Sequence, residues 1–216
     1  VTVDVRRRWA DAATVAGGAA IAGLCARVVA PGTVGDLERR VFELVNHRSD
    51  VWQWPLWSVQ LVGVLGMPLL VATGALVLRR WRLAGALVLL VPLKLLVERA
   101  VLKELVHRER PGTTIPGAVL RDVPSAGASF PSGHAIIAFG IVVLLLPHLP
   151  RGRWRVAVVV LAVLNSAARV YLGGHAPLDV VGGAATGAAL GAVLNLGVGV
   201  PRRTAEPRPA GRPAHG

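Results

Sequence analysis

Apolar residues dominate this chain in six long runs, and short polar clusters separate them. The first run covers residues 12–30, broken only by Arg27, and approaches the roughly 20 residues that a membrane-crossing helix needs. The second, 55–78, carries no charge; the third starts at Leu83 and bears Lys94, Glu98 and Arg99 before passing into Lys103. Further runs cover 132–149, 156–172 and 180–200. Between the first two, Asp36 is placed to cap a short amphipathic helix with Leu37, Val41, Leu44 and Val45 on one face. Its charges are of mixed sign, which suits a helix lying along the membrane surface. The pattern predicts an all-α polytopic membrane protein: a six-transmembrane helix bundle with a short interfacial helix after the first span.

Aromatic and basic residues orient that bundle. All six tryptophans, at 9, 52, 54, 57, 81 and 154, fall at predicted span ends, where amphipathic rings settle at the bilayer interface. The arginine clusters at 6–8, 79–82, 151–155 and 202–212 share one side under a six-span count. By the positive-inside rule that side is the cytoplasm. Both termini are therefore expected inside, and segments 31–54, 100–131 and 173–177 outside. Arg6-Arg7-Arg8 before a small-residue run, with Val28-Val29-Ala30 behind it, also resembles a signal peptide and its cleavage site. The length of the run favours a retained helix.

The net charge of +12 raises the question of nucleic acid. The arginines lie in short clusters between apolar runs and not over one face, so anionic lipid head groups are the expected counterpart and nucleic acid is not. Cys25, the only cysteine, excludes an intrachain disulfide and a cysteine-based metal site. The expected organisation is one membrane domain, 1–200, followed by a disordered basic cytoplasmic tail, 201–216. High Ala, Gly, Val and Arg content fits a bacterial source and hence the bacterial cytoplasmic membrane.

Chemistry gathers on the outer side. Lys103 and Arg110 stand seven apart, which on a helix puts both on one side, about 10 Å apart along the axis, able to grip separate phosphate oxygens. Pro131-Ser132-Gly133-His134 opens the fourth run, where a helix N-terminus offers free N–H groups to an anion. Ser132 adds a hydroxyl and a cap, Gly133 allows close backbone approach, and His134 falls in the first turn. Arg169 lies near the outer end of the fifth run, an expensive place for a charge without a role. His175 follows at the entrance of the sixth, and Pro177 suits the first helical turn. Asp179 lies one turn in, placed to reach back to the imidazole. Each part alone has a plain structural explanation: a basic juxtamembrane segment, a serine cap, a carboxylate complementing a helix dipole. Lys94 and Glu98, four apart, are expected to pair structurally and are not assigned to the site.

Together, Lys103-x6-Arg110-Pro111, Pro131-Ser132-Gly133-His134 and Arg169-x5-His175-x3-Asp179 resemble the three signature motifs of the type 2 phosphatidic acid phosphatase (PAP2) family. The resemblance covers roughly residues 94–180 and departs at Ala168, where the family usually has Ser; Ser166 lies two residues earlier. It implies an integral-membrane lipid phosphatase acting at the extracytoplasmic face. His175 would be the nucleophile, forming a phosphohistidine, with His134 the general acid and base and Asp179 orienting His175. Lys103, Arg110, Ser132, Gly133 and Arg169 would bind phosphate, with no metal and no cofactor. The implied substrate is a lipid phosphate or diphosphate, such as polyprenyl diphosphate, phosphatidic acid, phosphatidylglycerophosphate or diacylglycerol pyrophosphate. Two alternatives keep the pocket: a phosphotransferase with a lipid or sugar acceptor, and a non-catalytic anion-binding or transport protein.

Overall fold

A computed structural model of the protein describes residues 5–201; the basic tail expected over 201–216 lies almost wholly outside the described residues. The helices are α1 (Trp9–Val29), α2 (Asp36–Asn46), α3 (Gln53–Gln60), α4 (Met67–Val77), α5 (Trp81–Leu95), α6 (Lys103–Leu105), α7 (Pro111–Thr114), α8 (Gly133–Leu145), α9 (Arg153–Tyr171) and α10 (Pro177–Val198). A π-helical stretch, Leu96–Leu102, joins α5 to α6, and the two-residue strands Val5–Arg6 and Val200–Pro201 pair antiparallel. Among the described residues, α1, α9 and α10 are each long and apolar enough to cross a membrane. Asp50–Gly63 with Met67–Val77 makes a fourth crossing if the bent pair is one span, and α8 is a shorter apolar helix.

Glycine spacing explains how the centre packs. Gly183, Gly187 and Gly191 recur every fourth residue of α10 and line one side of it, against the backbone of α8. A Cβ at Gly183 would lie 2.5 Å from the Ser132 carbonyl oxygen, one at Gly191 2.8 Å from that of Gly140, and one at Gly187 would overlap that of Ile136. Small residues let membrane helices approach this closely, and dispersion between the backbones then holds them. Around this seam Leu83, Leu87, Leu90, Ile136, Ile137, Ile141, Leu144, Leu190 and Leu194 form a buried apolar cluster. Leu24, Leu70, Leu89, Val160, Val163 and Val193 stay exposed on the outer helix faces, an apolar coat suited to lipid and not to water.

Three expectations need correction. The uncharged run 55–78 is not one helix: α3 ends, Leu61–Gly63 winds as a 3-10 turn, and α4 departs at 65°. Gly63, Gly66 and Pro68 interrupt the ladder, Pro68 lying in the first turn of α4 where its missing N–H is harmless. Gly35, not Asp36, holds the cap position of α2. Leu37, Val41 and Leu44 do share an exposed face of α2, but Val45 turns inward to pack by Phe42. The buried residues of α2 are Glu38, Phe42 and Asn46, again at fourth-residue spacing. Asn46 ties α2 to the end of α9 and to the loop before α8, donating to the carbonyls of Tyr171 (2.9 Å) and Val119 (2.8 Å).

The glycine seam makes a test. Gly187→Ala forces α8 and α10 apart and lowers stability by about 1–3 kcal/mol, the range for overpacking. Gly74→Ala, with open space around the added methyl, is neutral or mildly stabilising. Thermal unfolding in detergent measures both.

Candidate active site

The turn between α9 and α10 is built to present His175. The N–H groups of Gly174 and His175 both donate to the Arg169 carbonyl, at 3.0 and 3.3 Å, folding the chain back over the end of α9. Gly173 adopts φ +82°, and a Cβ there would strike the Val119 carbonyl, so this turn requires glycine. Ala176 caps α10 and Pro177 starts it. Asp179, in the first turn, accepts the Ala176 N–H on Oδ2 at 2.8 Å. His175 is left 3% exposed.

The segment after α6 supplies the second part. Residue 106 is extended, and the chain then runs alongside 127–129, with Glu109 bridged to Ala128 and the Ser129 N–H donating to the Arg108 carbonyl at 2.7 Å. Side chains alternate along extended backbone. Val106 and Arg108 are accordingly buried and Arg110 half-buried, while His107 and Glu109 are exposed. Arg110 precedes a proline, which disfavours helix there. Lys103 and Arg110 are thus not on one helix face, as their spacing had implied. They reach the same place from a helix end and an extended strand.

That place is a cavity of about 290 Å³ lined by Gly63, Leu65, Lys94, Leu95, Glu98, Arg99, Lys103, Arg110, Pro124, Gly133, His134, Arg169 and His175. Six of the eight residues expected from sequence line it: Lys103, Arg110, Gly133, His134, Arg169 and His175. Arg110 Nη1 donates to the Gly174 carbonyl at 2.8 Å, which ties it to the His175 turn. Arg169 donates to Gln60 Oε1. Glu98 pairs with Lys103 Nζ at 2.8 Å and with Lys94. The expected Lys94–Glu98 pair therefore forms, but in the wall of the cavity, where it had not been assigned. Burial, then the charges of Arg169, Arg110, His134 and Lys103, push the His175 pKa well below its ordinary value and keep the imidazole neutral. Burial also lowers the Arg110 pKa, with Asp179, Glu98 and Glu109 opposing.

The two remaining residues stand behind the wall. Ser132 caps α8 by position, yet its fully buried hydroxyl has no hydrogen-bond partner among the described residues; its N–H donates to the Asp179 carbonyl at 2.9 Å. Asp179 Oδ2 lies 3.9 Å from His175 Nδ1, beyond a hydrogen bond. Ser129 fills the gap: its hydroxyl donates to Asp179 Oδ2 at 2.5 Å and lies 3.4 Å from His175 Nδ1. Asp179 Oδ1 accepts from Arg108 Nη1 at 3.0 Å, and Arg108 Nη2 donates to Glu38 Oε2 at 2.6 Å. Gln60, Ser129, Arg108 and Glu38 were not anticipated. For Arg108, the only cue was Pro111, which disfavours helix at Arg110 and so favours an extended approach. Ala168 is fully buried, and neither it nor Ser166 is among the residues that line the cavity.

The helices gather lysines, arginines and two histidines around one cavity. Residues 81–201, more than half of the 216, match the PAP2 superfamily, and the chain belongs to that superfamily. It is 33% identical over 108 residues to an undecaprenyl-diphosphatase of Sulfolobus acidocaldarius, covering 50% of this chain and 52% of that protein. It is 45% identical over 62 residues to a lipid A 4'-phosphatase of Bacteroides thetaiotaomicron, covering 28% of this chain and 27% of that protein. The matches thus span about half or less of these relatives' lengths. The fold resembles that of Aquifex aeolicus LpxE, with TM-score 0.58 and 22% identity over 75% of this chain and 98% of that one. It also resembles a PAP2-type phosphatidylglycerolphosphate phosphatase of Bacillus subtilis, with TM-score 0.67 and 23% identity over 83% and 94% of the two chains. The chain is a multi-pass membrane protein.

Charge-assisted bonds from buried guanidinium groups contribute roughly 1.5–3 kcal/mol each. Arg169→Met is therefore expected to weaken inorganic phosphate binding by about ten- to a hundredfold. Phosphate-induced stabilisation against heat, compared in wild type and variant, provides the measurement.

Proposed function

We propose that this protein is a lipid phosphatase that hydrolyses a lipid phosphate or diphosphate through a phosphohistidine, without a metal. The observation that carries the reading is the meeting of His175 and His134 with Lys103, Arg110 and Arg169 around one cavity. Binding alone calls for the cations; turnover calls for the two imidazoles.

In the proposed reaction His175 keeps its proton on Nδ1, directed at the Ser129 oxygen, while the Ser129 proton goes to Asp179. Asp179 thus orients the nucleophile through Ser129. Nε2 is left with its lone pair and attacks phosphorus. As the N–P bond forms, the P–O bond to the lipid breaks, and protonated His134 gives its proton to the departing oxygen. Water, losing a proton to His134, then attacks phosphorus; the N–P bond breaks and phosphate leaves. Lys103, Arg110 and Arg169, with the Gly133 N–H at the start of α8, stabilise charge on the equatorial oxygens. They supply the charge that a divalent ion would otherwise provide. Ser132, behind the wall, acts through the backbone at the start of α8.

The substrate is proposed as a lipid because the cavity opens among helices coated with apolar side chains. The relatives' names point the same way, covering a polyprenyl diphosphate and lipid A. Residues 1–200 are proposed as one domain of six spans, with the stretch from α5 to α6 and helix α8 adding crossings to α1, the bent α3–α4 pair, α9 and α10. Helix α2, with Leu37, Val41 and Leu44 exposed on one face, lies in the interface. By the positive-inside rule the arginine clusters support termini in the cytoplasm and a site on the outer side of a bacterial cytoplasmic membrane.

The test is phosphate release in detergent from polyprenyl diphosphate, phosphatidic acid and phosphatidylglycerophosphate, with EDTA present, by wild type and His175→Ala. Release by wild type, at least about a thousandfold faster than the variant, is expected for loss of a nucleophile. Activity that EDTA abolishes and only a divalent ion restores contradicts the metal-free step. Equal activity in the variant contradicts the nucleophile.

The pH profile makes a separate check. A neutral His175 is the reactive form, and its pKa lies well below 6.5. The rate is therefore expected to hold as pH falls through 6.5 and to decline only in a more acidic range. An acid limb centred at or above that value contradicts the assignment.

A further inference from the structure

We infer that Arg108 and Glu38 are positioning residues, which set the charge that Asp179 presents to His175 and so tune the nucleophile from helix α2. The inference rests on the proposal that His175 is the nucleophile. Arg108 occupies an unspecified position within Lys103-x6-Arg110-Pro111, Glu38 lies outside all three motifs, and neither lines the cavity. The Arg108 side chain has no exposed surface, and its partners are as enclosed: Asp179 wholly, Glu38 with 8% of its side chain exposed. Burying a guanidinium costs several kcal/mol unless its hydrogen bonds are met. One carboxylate would suffice as its counter-charge. Arg108 instead joins two, and one of them leads through Ser129 to His175.

Glu38 closes the line from the far side. Its Oε2 accepts from Arg108, while its Oε1 accepts the Leu178 N–H at 2.9 Å. Leu178 stands between the cap of α10 and Asp179, so Glu38 also fixes the backbone that carries the nucleophile's partner. Helix α2, about 140 residues away along the chain, thereby becomes part of the active site. The line runs Glu38, Arg108, Asp179, Ser129, His175, with separations of 2.6, 3.0, 2.5 and 3.4 Å.

The electrostatics give the two residues opposite signs. Facing His175 are Asp179 and Ser129, Arg169 from α9, Arg110 and Lys103 from the segment around α6, and His134 from α8. The cations favour neutral imidazole, and Asp179 opposes them to the extent that Arg108 leaves its charge unbalanced. Removing the Arg108 charge exposes Asp179 to the ring and favours imidazolium. Removing the Glu38 charge frees Arg108 for Asp179 and favours the neutral ring.

The experiment is the pH dependence of kcat and KM for phosphate release from phosphatidic acid in detergent micelles, for the full chain and for Arg108→Met, Arg108→Lys and Glu38→Gln. Alongside it, the His175 ring is titrated by NMR in histidine-labelled protein, with the signal assigned by its absence in His175→Ala. Arg108→Met is expected to raise the acid limb and the ring pKa by about one unit, as loss of a charge pair does, and to lower kcat about tenfold with KM nearly unchanged. Arg108→Lys recovers most of the wild-type profile. Glu38→Gln, which keeps an acceptor for the Leu178 N–H, is expected to move the limb and ring pKa down by about half a unit. Shifts of the same sign, or none, overturn the inference, as does a loss confined to KM. If Arg108→Met does not fold, the sign of the Glu38→Gln shift decides. Absence of turnover by wild type counts against the proposed function, and the ring titration still decides this inference.

Discussion

A carboxylate with no exposed surface destabilises a fold unless donors reach both of its oxygens, and Asp179 is such a carboxylate. Its demands are met by the Arg108 guanidinium, the Ser129 hydroxyl and the Ala176 N–H. Its own carbonyl accepts from Ser132, at the start of α8. These contacts draw together the entrance of α10, the entrance of α8 and the paired segments around 108 and 129. Glu38 then fastens α2 to the same point through Arg108. The Asp179 carboxylate is therefore a principal tie among these segments.

The reacting side of the site obeys a different constraint. Cations gathered in a confined cavity repel one another, and their attraction for a phosphate grows as water is excluded. The structure balances them locally: Glu98 sits between Lys94 and Lys103, Arg169 leans on Gln60, and Arg110 on a backbone carbonyl. Gly63 makes room for this. The break between α3 and α4 brings its backbone against the His134 Cβ and the Asn165 amide, and a methyl there would lie 2.7 Å from each. The bend that interrupts an apolar helix is thus what gives the cavity one of its walls.

What the amino-acid sequence revealed were features carried by local spacing. His175 before Pro177, His134 in the first turn of α8, and Arg169 at the end of α9 each depend on one helix end, and helix ends leave marks such as Pro, Gly and Ser. Residues contributed by tertiary packing left no such marks. Glu38 read as one charge on a surface helix, and Ser129 as one polar residue in a loop. Arg108 was hidden by a wrong period: counted along a helix, 103 and 110 pair, whereas along a strand 106, 108 and 110 share the inner face. The gap between α3 and α4 was likewise masked by unbroken hydrophobicity, although Gly63, Gly66 and Pro68 marked it.

The proposed reaction requires His175 to become covalently phosphorylated. The direct measurement is rapid quenching of turnover at alkaline pH, followed by mass spectrometry of the peptide that carries residue 175. The expected result is an acid-labile phosphate on His175 that appears before free phosphate and decays at the turnover rate. Phosphate on another residue, or turnover with no phosphorylated peptide at any time, would contradict it.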